Sequence, residues 1–308
     1  MAPERALAVA DASVVLTHPF VASAALSDYW RLTKPEVSFL VAVTTAAGFY
    51  LGCSAAPSPI PWIPFLHTVL GTLLVASGAA VFNQWMEYPF DARMRRTARR
   101  AVAAGRIDPK HALMFGAFLS LTGLAYLRFA AGVLPSFLAL VTLAGYLCIY
   151  TPLKRITPLC TLVGAIPGAV PPLIGWTAAR GRLDGEALIL FGIVFLWQFP
   201  HFMSIAWMYR DDYARAGYLV LPDSPARVPV AALQTLLPLV LLLPVSVLPV
   251  RTGGAPVYYS VGALLLGLGF LFFGSRFVLQ RSGPAARRLL MASIIYLPAL
   301  LLLLTLFG

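Results

Sequence analysis

The sequence predicts an all-α polytopic membrane protein with about nine transmembrane helices, on three observations. Hydrophobic residues make up 59% of the 308 and charged residues 11%, against about 25% charged in soluble domains. The apolar residues gather in uncharged runs of about 20, the length a helix needs to cross a bilayer. Those runs are continuous rather than alternating. In lipid only helices and closed barrels satisfy the backbone, and barrel strands would alternate, so the runs read as helices.

Residues 1–27 hold Arg5 beside Glu4 and Asp11, and their apolar patch is broken by His18 and Pro19. A mitochondrial leader would be Arg-rich and acid-poor, and a secretory signal would start basic. The segment therefore reads as a weakly ordered cytosolic tail, with 28–308 as a single transmembrane domain. Residues 28–36 form an amphipathic approach to the membrane, with Tyr29 and Trp30 as interfacial anchors. Spans are then expected at 37–56, 62–86, 110–128, 131–150, 159–178, 187–209, 229–249, 256–279 and 288–307. The fifth is crowded with small residues and prolines between Val163 and Trp176. Small residues let helices pack closely, and prolines distort a helix whose freed carbonyls then need a neighbour. The last three spans are Leu-rich and read mainly as wall.

Charge sets the orientation. With the N-terminus inside, the tail and the loops after spans two, four, six and eight hold 19 of the 23 Lys and Arg. The opposite loops hold only Arg128, Arg180, Arg182 and Arg251, so the positive-inside rule puts the N-terminus in the cytosol. The same distribution accounts for the net charge of +11 without nucleic acid. Cys53, Cys148 and Cys160 show no metal or redox spacing and read as small buried hydrophobes.

The densest chemistry follows span two. Asn83, Glu87 and Asp91 recur every fourth residue, which stacks them on one helix face. Two carboxylates so placed repel, and a bound cation relieves the repulsion; oxygen ligands of this kind suit Mg²⁺, completed by water and substrate phosphate. Arg95, Arg96, Arg99 and Arg100 come next, as a basic block suited to phosphate. The plain alternative is a solvated helix face on which the acids pair with the arginines. Pro89 adds a second expectation, that Asp91 lies on a bent or unwound turn.

A matching inner stretch after span six contains Arg210, Asp211, Asp212 and Arg215. Of the eight acidic residues after Glu36, four lie in these two stretches. Ionisable groups at membrane depth are costly and tend to be functional, so the two read as halves of one site. Between them, Lys154 and Arg155 are either topological charge or a grip on the same phosphate.

Several of these segments resemble the UbiA-type intramembrane prenyltransferases. Asn83 to Asp91 with Met94, Arg96, Thr97 and Arg100 is similar to the first acidic motif of that superfamily. Tyr150 to Arg155, Val163 to Trp176, and Phe199-Pro-His201-Phe202 leading to Arg210-Asp211-Asp212-Tyr213 are similar to its haem-farnesylating branch. The resemblance runs from Trp30 to Pro222. Two positions depart from it: Glu87 replaces the usual middle Asp, and Ala101 stands where a proline is common after the basic block.

The resemblance implies farnesyl transfer from farnesyl diphosphate to a vinyl group of haem b, with Mg²⁺ as cofactor. Asn83, Glu87, Asp91, Asp211 and Asp212 are then the expected catalytic residues, with Asn83, Glu87, Asp91 and Asp212 at the metal. Arg96, Arg100, Lys154, Arg155 and Arg210 are expected on the diphosphate. Trp85, Tyr146, Tyr150 and Phe202 are candidates to shelter an allylic cation. His201 is the haem candidate, with three open roles: iron ligand or orienting group, proton shuttle, or hydrogen-bond partner of a neighbouring carbonyl. His18, His67 and His111 read as interfacial. Expected partners are haem b, farnesyl diphosphate, the bilayer, and a downstream haem A synthase or oxidase assembly proteins. A cytoplasmic-membrane enzyme with its site on the cytosolic side is the expected setting. Competing readings are prenylation of a quinone-precursor ring, a haem-handling permease, and a structural oxidase assembly factor. Acidic groups gathered at one face favour a one-sided site over a transporter.

Overall fold

The computed structural model describes residues 26–54, 59–220, 228–253 and 255–307, so most of the expected tail lies outside the described residues. A short helix, α1 (Leu26–Leu32), precedes nine apolar stretches long enough to span a bilayer among the described residues. No strand occurs among them. The spans are α2 (Pro35–Ser54), α3 (Trp62–Asp91), α4 (Pro109–Ala130), a compound fourth, a broken fifth, α9 (Gly185–Met208), α11 (Val228–Arg251), α12 (Val257–Gln280) and α13 (Gly283–Phe307). A six-residue helix, α10 (Arg210–Arg215), follows α9. The outer faces carry exposed Phe118, Leu121, Leu265 and Ile295, which meet lipid.

Three local departures from the expected spans matter for the site. First, α3 is 30 residues long and runs through Pro89 to Asp91. Pro89 lies in the final turn, where it removes the one bond its N–H would give the Trp85 carbonyl, yet the helix continues two residues beyond it and the four-residue spacing survives to its end. At 1.5 Å per residue this helix is about 45 Å long, more than the roughly 30 Å hydrocarbon core. Its acidic end therefore reaches the membrane boundary.

Second, the fourth span is α5 (Val133–Ala144), a π-helical stretch Gly145–Tyr150, and one turn, α6 (Thr151–Leu153). A π segment rotates the residues that follow and often accompanies a functional site. Tyr146 and Tyr150 both lie within it.

Third, the fifth span breaks at Val170 into α7 (Cys160–Ala169) and α8 (Pro171–Arg180). Pro171 and Pro172 start α8, where a missing N–H is tolerated. Gln198 on α9 donates its Nε2–H to the Ala165 carbonyl at 3.0 Å, satisfying backbone close to the break.

α2 and α8 pack backbone to backbone. A Cβ at Gly48 would lie 2.0 Å from the Pro172 carbonyl oxygen, and one at Gly175 1.9 Å from that of Thr45. Only glycine allows backbones this close. On the other side, Trp197 of α9 donates to the Ser293 carbonyl of α13 at 2.7 Å. Cys160 is buried, as expected, whereas Cys148 is exposed on the lipid side of the π segment.

Candidate active site

Asn83, Glu87 and Asp91 share one face of α3 and are 2%, 7% and 1% exposed. Burial of two carboxylates demands compensation, and four cationic side chains surround them. Lys154 Nζ pairs with Glu87 Oε1 at 2.8 Å, and Arg100 Nη1 with Asp91 Oδ2 at 2.7 Å. Lys34 Nζ donates to Asn83 Oδ1 at 2.7 Å. Arg96 completes the set on the cavity wall, its guanidinium 4.7 Å from the Tyr209 ring centre.

These groups line one cavity of about 180 Å³, together with Tyr146, Tyr150, Phe202, Tyr213 and Tyr218. Four cations face two carboxylates there, an excess of positive charge that suits a polyanion. Sites enclosing a drug-sized ligand run to about 300–1,000 Å³. The cavity is therefore the size of a headgroup, and any long apolar substituent lies against the helices or in lipid.

Lys34 escaped the sequence reading, in which 28–36 served only as an interfacial approach. It sits in the left-handed region, φ 47°, in the two-residue turn of Thr33 and Lys34 between α1 and α2. The backbone break and Pro35 turn its side chain back toward α3. A single basic residue just before a span is indistinguishable from topological charge, so the strain was the missing signal. Burial, with Arg100 nearby, lowers the Lys34 ammonium to about 7, against the opposing pull of Glu87. Burial works the same way on Lys154, but Tyr150 and Glu87 beside it outweigh that and hold it well above its usual value.

The arginine block does not dangle. Thr97 donates its hydroxyl to the Asp91 carbonyl at 3.0 Å, and buried Ala101, Val102 and Ile107 pack with Leu32 and Val81. Ala101, the departure from the family pattern, is 4% exposed, and its carbonyl accepts from both Arg106 and Ile107. Arg106 in turn grips Asp28 of α1 with two bonds of 2.9 Å. That guanidinium holds the Asp28 carboxyl below the usual range, despite burial.

The second acidic stretch divides. Asp212 is 9% exposed; its carboxylate accepts the Arg96 backbone N–H at 3.2 Å and pairs with Arg215. It ties α10 to the basic loop without lining the cavity. Asp211 points to solvent, 81% exposed, beside Arg210. Residues three and four apart share a helix face and neighbours do not, so α10 presents only one of its two acids inward. The structure thus places Asp211 and Arg210 away from the cavity. Arg155 also faces outward and stacks 4.5 Å from the Phe90 ring centre. Among the described residues no three His, Cys, Asp or Glu side chains converge on one point. The residues still fit a hard cation at α3. Asp91 Oδ1 is buried there without a hydrogen-bond partner, an oxygen open to the ion, and Mg²⁺ needs only one or two carboxylates beside phosphate and water.

Of the aromatic candidates, Tyr146, Tyr150 and Phe202 line the cavity, while Trp85 packs toward Val81 and Ala112 on another face. His201 sits outside the lining. Its Nδ1 is 2.8 Å from Ser293 Oγ, and its ring stacks on Trp197 at 4.7 Å. His67 bonds the Tyr126 hydroxyl, and His111 is exposed at the start of α4.

A helical membrane bundle with a cationic, carboxylate-bearing, headgroup-sized cavity at one end is suited to an anionic amphiphile. The chain belongs to the UbiA prenyltransferase family, whose model matches residues 40–297; it is a prenyltransferase. A relative from Solibacter usitatus (strain Ellin6076), a protoheme IX farnesyltransferase, is 45% identical over 282 residues, covering 89% of this chain and 96% of that protein. The solved structure of a digeranylgeranylglyceryl phosphate synthase shares the fold with a TM-score of 0.73 at 17% identity, over 92% of this chain and 98% of that one. A UbiA homolog from Archaeoglobus fulgidus, bound to GPP and Mg²⁺, matches with a TM-score of 0.62 at 13% identity, covering 88% of this chain and 99% of that chain.

Proposed function

We propose that this chain transfers the farnesyl group of farnesyl diphosphate to a vinyl group of haem b and adds water, forming haem O. The observation that carries this is the 45% identity, across 89% of the chain, to a protoheme IX farnesyltransferase. The headgroup cavity supplies the geometry. Lys34, Arg96, Arg100 and Lys154 bind the diphosphate. They are fixed before reaction, so they stabilise the charge that builds on its bridging oxygen. Glu87 and Asp91, with Asn83 beside them, would hold Mg²⁺, which when bound would neutralise leaving-group charge, a contribution of several kcal/mol. Asp212 serves this site by holding the Arg96 loop, and Arg155 and Arg210 attract anions from solvent, while Asp211 beside Arg210 takes no part in binding them.

The allylic C–O bond breaks and the diphosphate keeps the electron pair. The tyrosine faces of the π segment shelter the farnesyl cation, at about 2 kcal/mol for a desolvated contact. The vinyl π pair of haem b forms the new C–C bond. Water adds at the carbon next to the porphyrin and releases a proton. The balance is haem b, farnesyl diphosphate and water going to haem O, diphosphate and a proton. His201 orients the haem. The positive-inside distribution supports an inner-membrane protein with its N-terminus and cavity on the cytoplasmic side. A haem A synthase or oxidase assembly proteins would receive the product.

The test is a product assay in liposomes with haem b, farnesyl diphosphate and Mg²⁺, run beside Asp91→Ala. A haem gaining a hydroxyethylfarnesyl group, lost with chelator and in the variant, is the expected result. Prenylation of a hydroxybenzoate instead of haem would overturn the acceptor and keep the enzyme class.

A further inference from the structure

His201 is the one intramembrane imidazole beside the cavity that the headgroup chemistry leaves unused. It precedes Phe202, which lines the cavity, and lies one turn before Ile205, which does too. Its surroundings select its tautomer. Ser293 Oγ, 2.8 Å from His201 Nδ1, has one hydrogen and donates it to the Leu290 carbonyl at 2.6 Å. With that hydrogen donated, the oxygen only accepts from the imidazole. The hydrogen-bond network therefore assigns the ring proton to Nδ1 and the lone pair to Nε2. Nε2 makes no hydrogen bond among the described residues.

The ring plane is fixed as well. Trp197, one turn earlier on α9, donates its indole N–H to the Ser293 carbonyl at 2.7 Å. The same indole stacks on the imidazole at 4.7 Å with 25° between planes. Ser293 thus receives two α9 side chains, one at its carbonyl and one at its hydroxyl. A helix clasp alone would be served by either tautomer, but the bond to Leu290 leaves one. One ring nitrogen held by a second group, with the other bare, is the arrangement of metal-ligating histidines.

We propose that Ser293 is a positioning residue that holds His201 in its Nδ1–H form, so that Nε2 is presented as an axial ligand to the iron of the haem acceptor. The assignment rests on the haem reading above. Ligation through a neutral nitrogen adds no charge to the membrane interior and anchors the macrocycle at its centre, leaving the vinyl edge free.

The test uses the full chain in nanodiscs with ¹⁵N-labelled histidine. The free protein should give a His201 ring with a protonated Nδ1 and a bare Nε2, and Ser293→Ala should move protonation toward Nε2. Titration with ferric haem is the second readout. Its nitrogen-ligand Soret and spin-resonance signature should vanish in His201→Ala. Its dissociation constant should rise on the order of tenfold in Ser293→Ala and recover in Ser293→Thr. Trp197→Phe keeps the stack, removes only the clasp bond, and should leave the tautomer unchanged. An unaltered tautomer in Ser293→Ala would overturn the positioning role. An unaltered iron signature in His201→Ala would overturn the ligand. Failure of wild-type protein to make any farnesylated haem, with the tautomer as stated, would instead sink the haem reading.

Discussion

Lys34 and Glu87 illustrate what a single residue contributes when burial forces every charge to find a partner. Lys34 sits across Asn83 from the carboxylates, and its ammonium is destabilised without an anion in the cavity. Diphosphate supplies that anion, so Lys34→Met should raise KM for the prenyl diphosphate by about tenfold or more, the scale of a lost charge-assisted bond of about 1.5–3 kcal/mol. Steady-state kinetics would check it, and an unchanged KM would remove Lys34 from the binding set. Asp28 offers a pH-dependent case outside the cavity. Its folded pKa is depressed by Arg106, so the stability it contributes is present above the unfolded value near 3.9 and is lost as pH falls through the lower folded value. Thermal melts should show Asp28→Asn less stable than the parent at pH 7 by roughly 1 kcal/mol, and the two should converge below about pH 4. The four-residue acidic spacing was legible in the sequence because helical period converts directly into a shared face. The role of Lys34 was not, because it depends on a left-handed turn that one basic residue does not announce.

Two short elements decide which residues reach the cavity. In α10 the neighbours Asp211 and Asp212 look equivalent as a string, yet one points to solvent and the other to the Arg96 backbone. Asp212→Ala should therefore free the basic loop, increasing hydrogen exchange over 93–100 and lowering kcat/KM by about tenfold, the scale of a lost charge-assisted bond. Asp211→Ala should leave both close to the parent. The π segment 145–150 is the other. A Cβ at Gly164 of α7 would lie 2.4 Å from the Tyr150 ring, so Gly164→Ala should displace that ring. A fall in kcat larger than the rise in KM is the expected signature, since the ring's face is used after the diphosphate binds. The sequence placed the fourth span within three residues of its end, but periodicity of apolar residues does not register one extra residue in a helical turn. It read the fifth span's prolines as distortion, and the structure locates the break at Val170.

At the scale of the whole molecule, class and span number were open to inspection because the bilayer imposes length rules on the chain. What those rules do not contain is which helix lies against which. The seam of α2 and α8 depends on Gly48 and Gly175 meeting carbonyls directly. Gly48→Leu should open it, costing about 1–3 kcal/mol or more by overpacking, read as a lower melting temperature in detergent. Substituting an exposed lipid-facing leucine such as Leu265 by isoleucine should not.

The cavity holds a headgroup and little else, and α3 carries it to the rim of the hydrocarbon layer. A reaction run at that rim separates its own products by phase. The freed diphosphate leaves into water, while the enlarged macrocycle stays in oil, so neither has to cross the other's territory. Turnover in such an arrangement responds to two independent reservoirs. Phosphate-like ions in the aqueous buffer would compete at one side, and the thickness and fluidity of the lipid would govern traffic at the other.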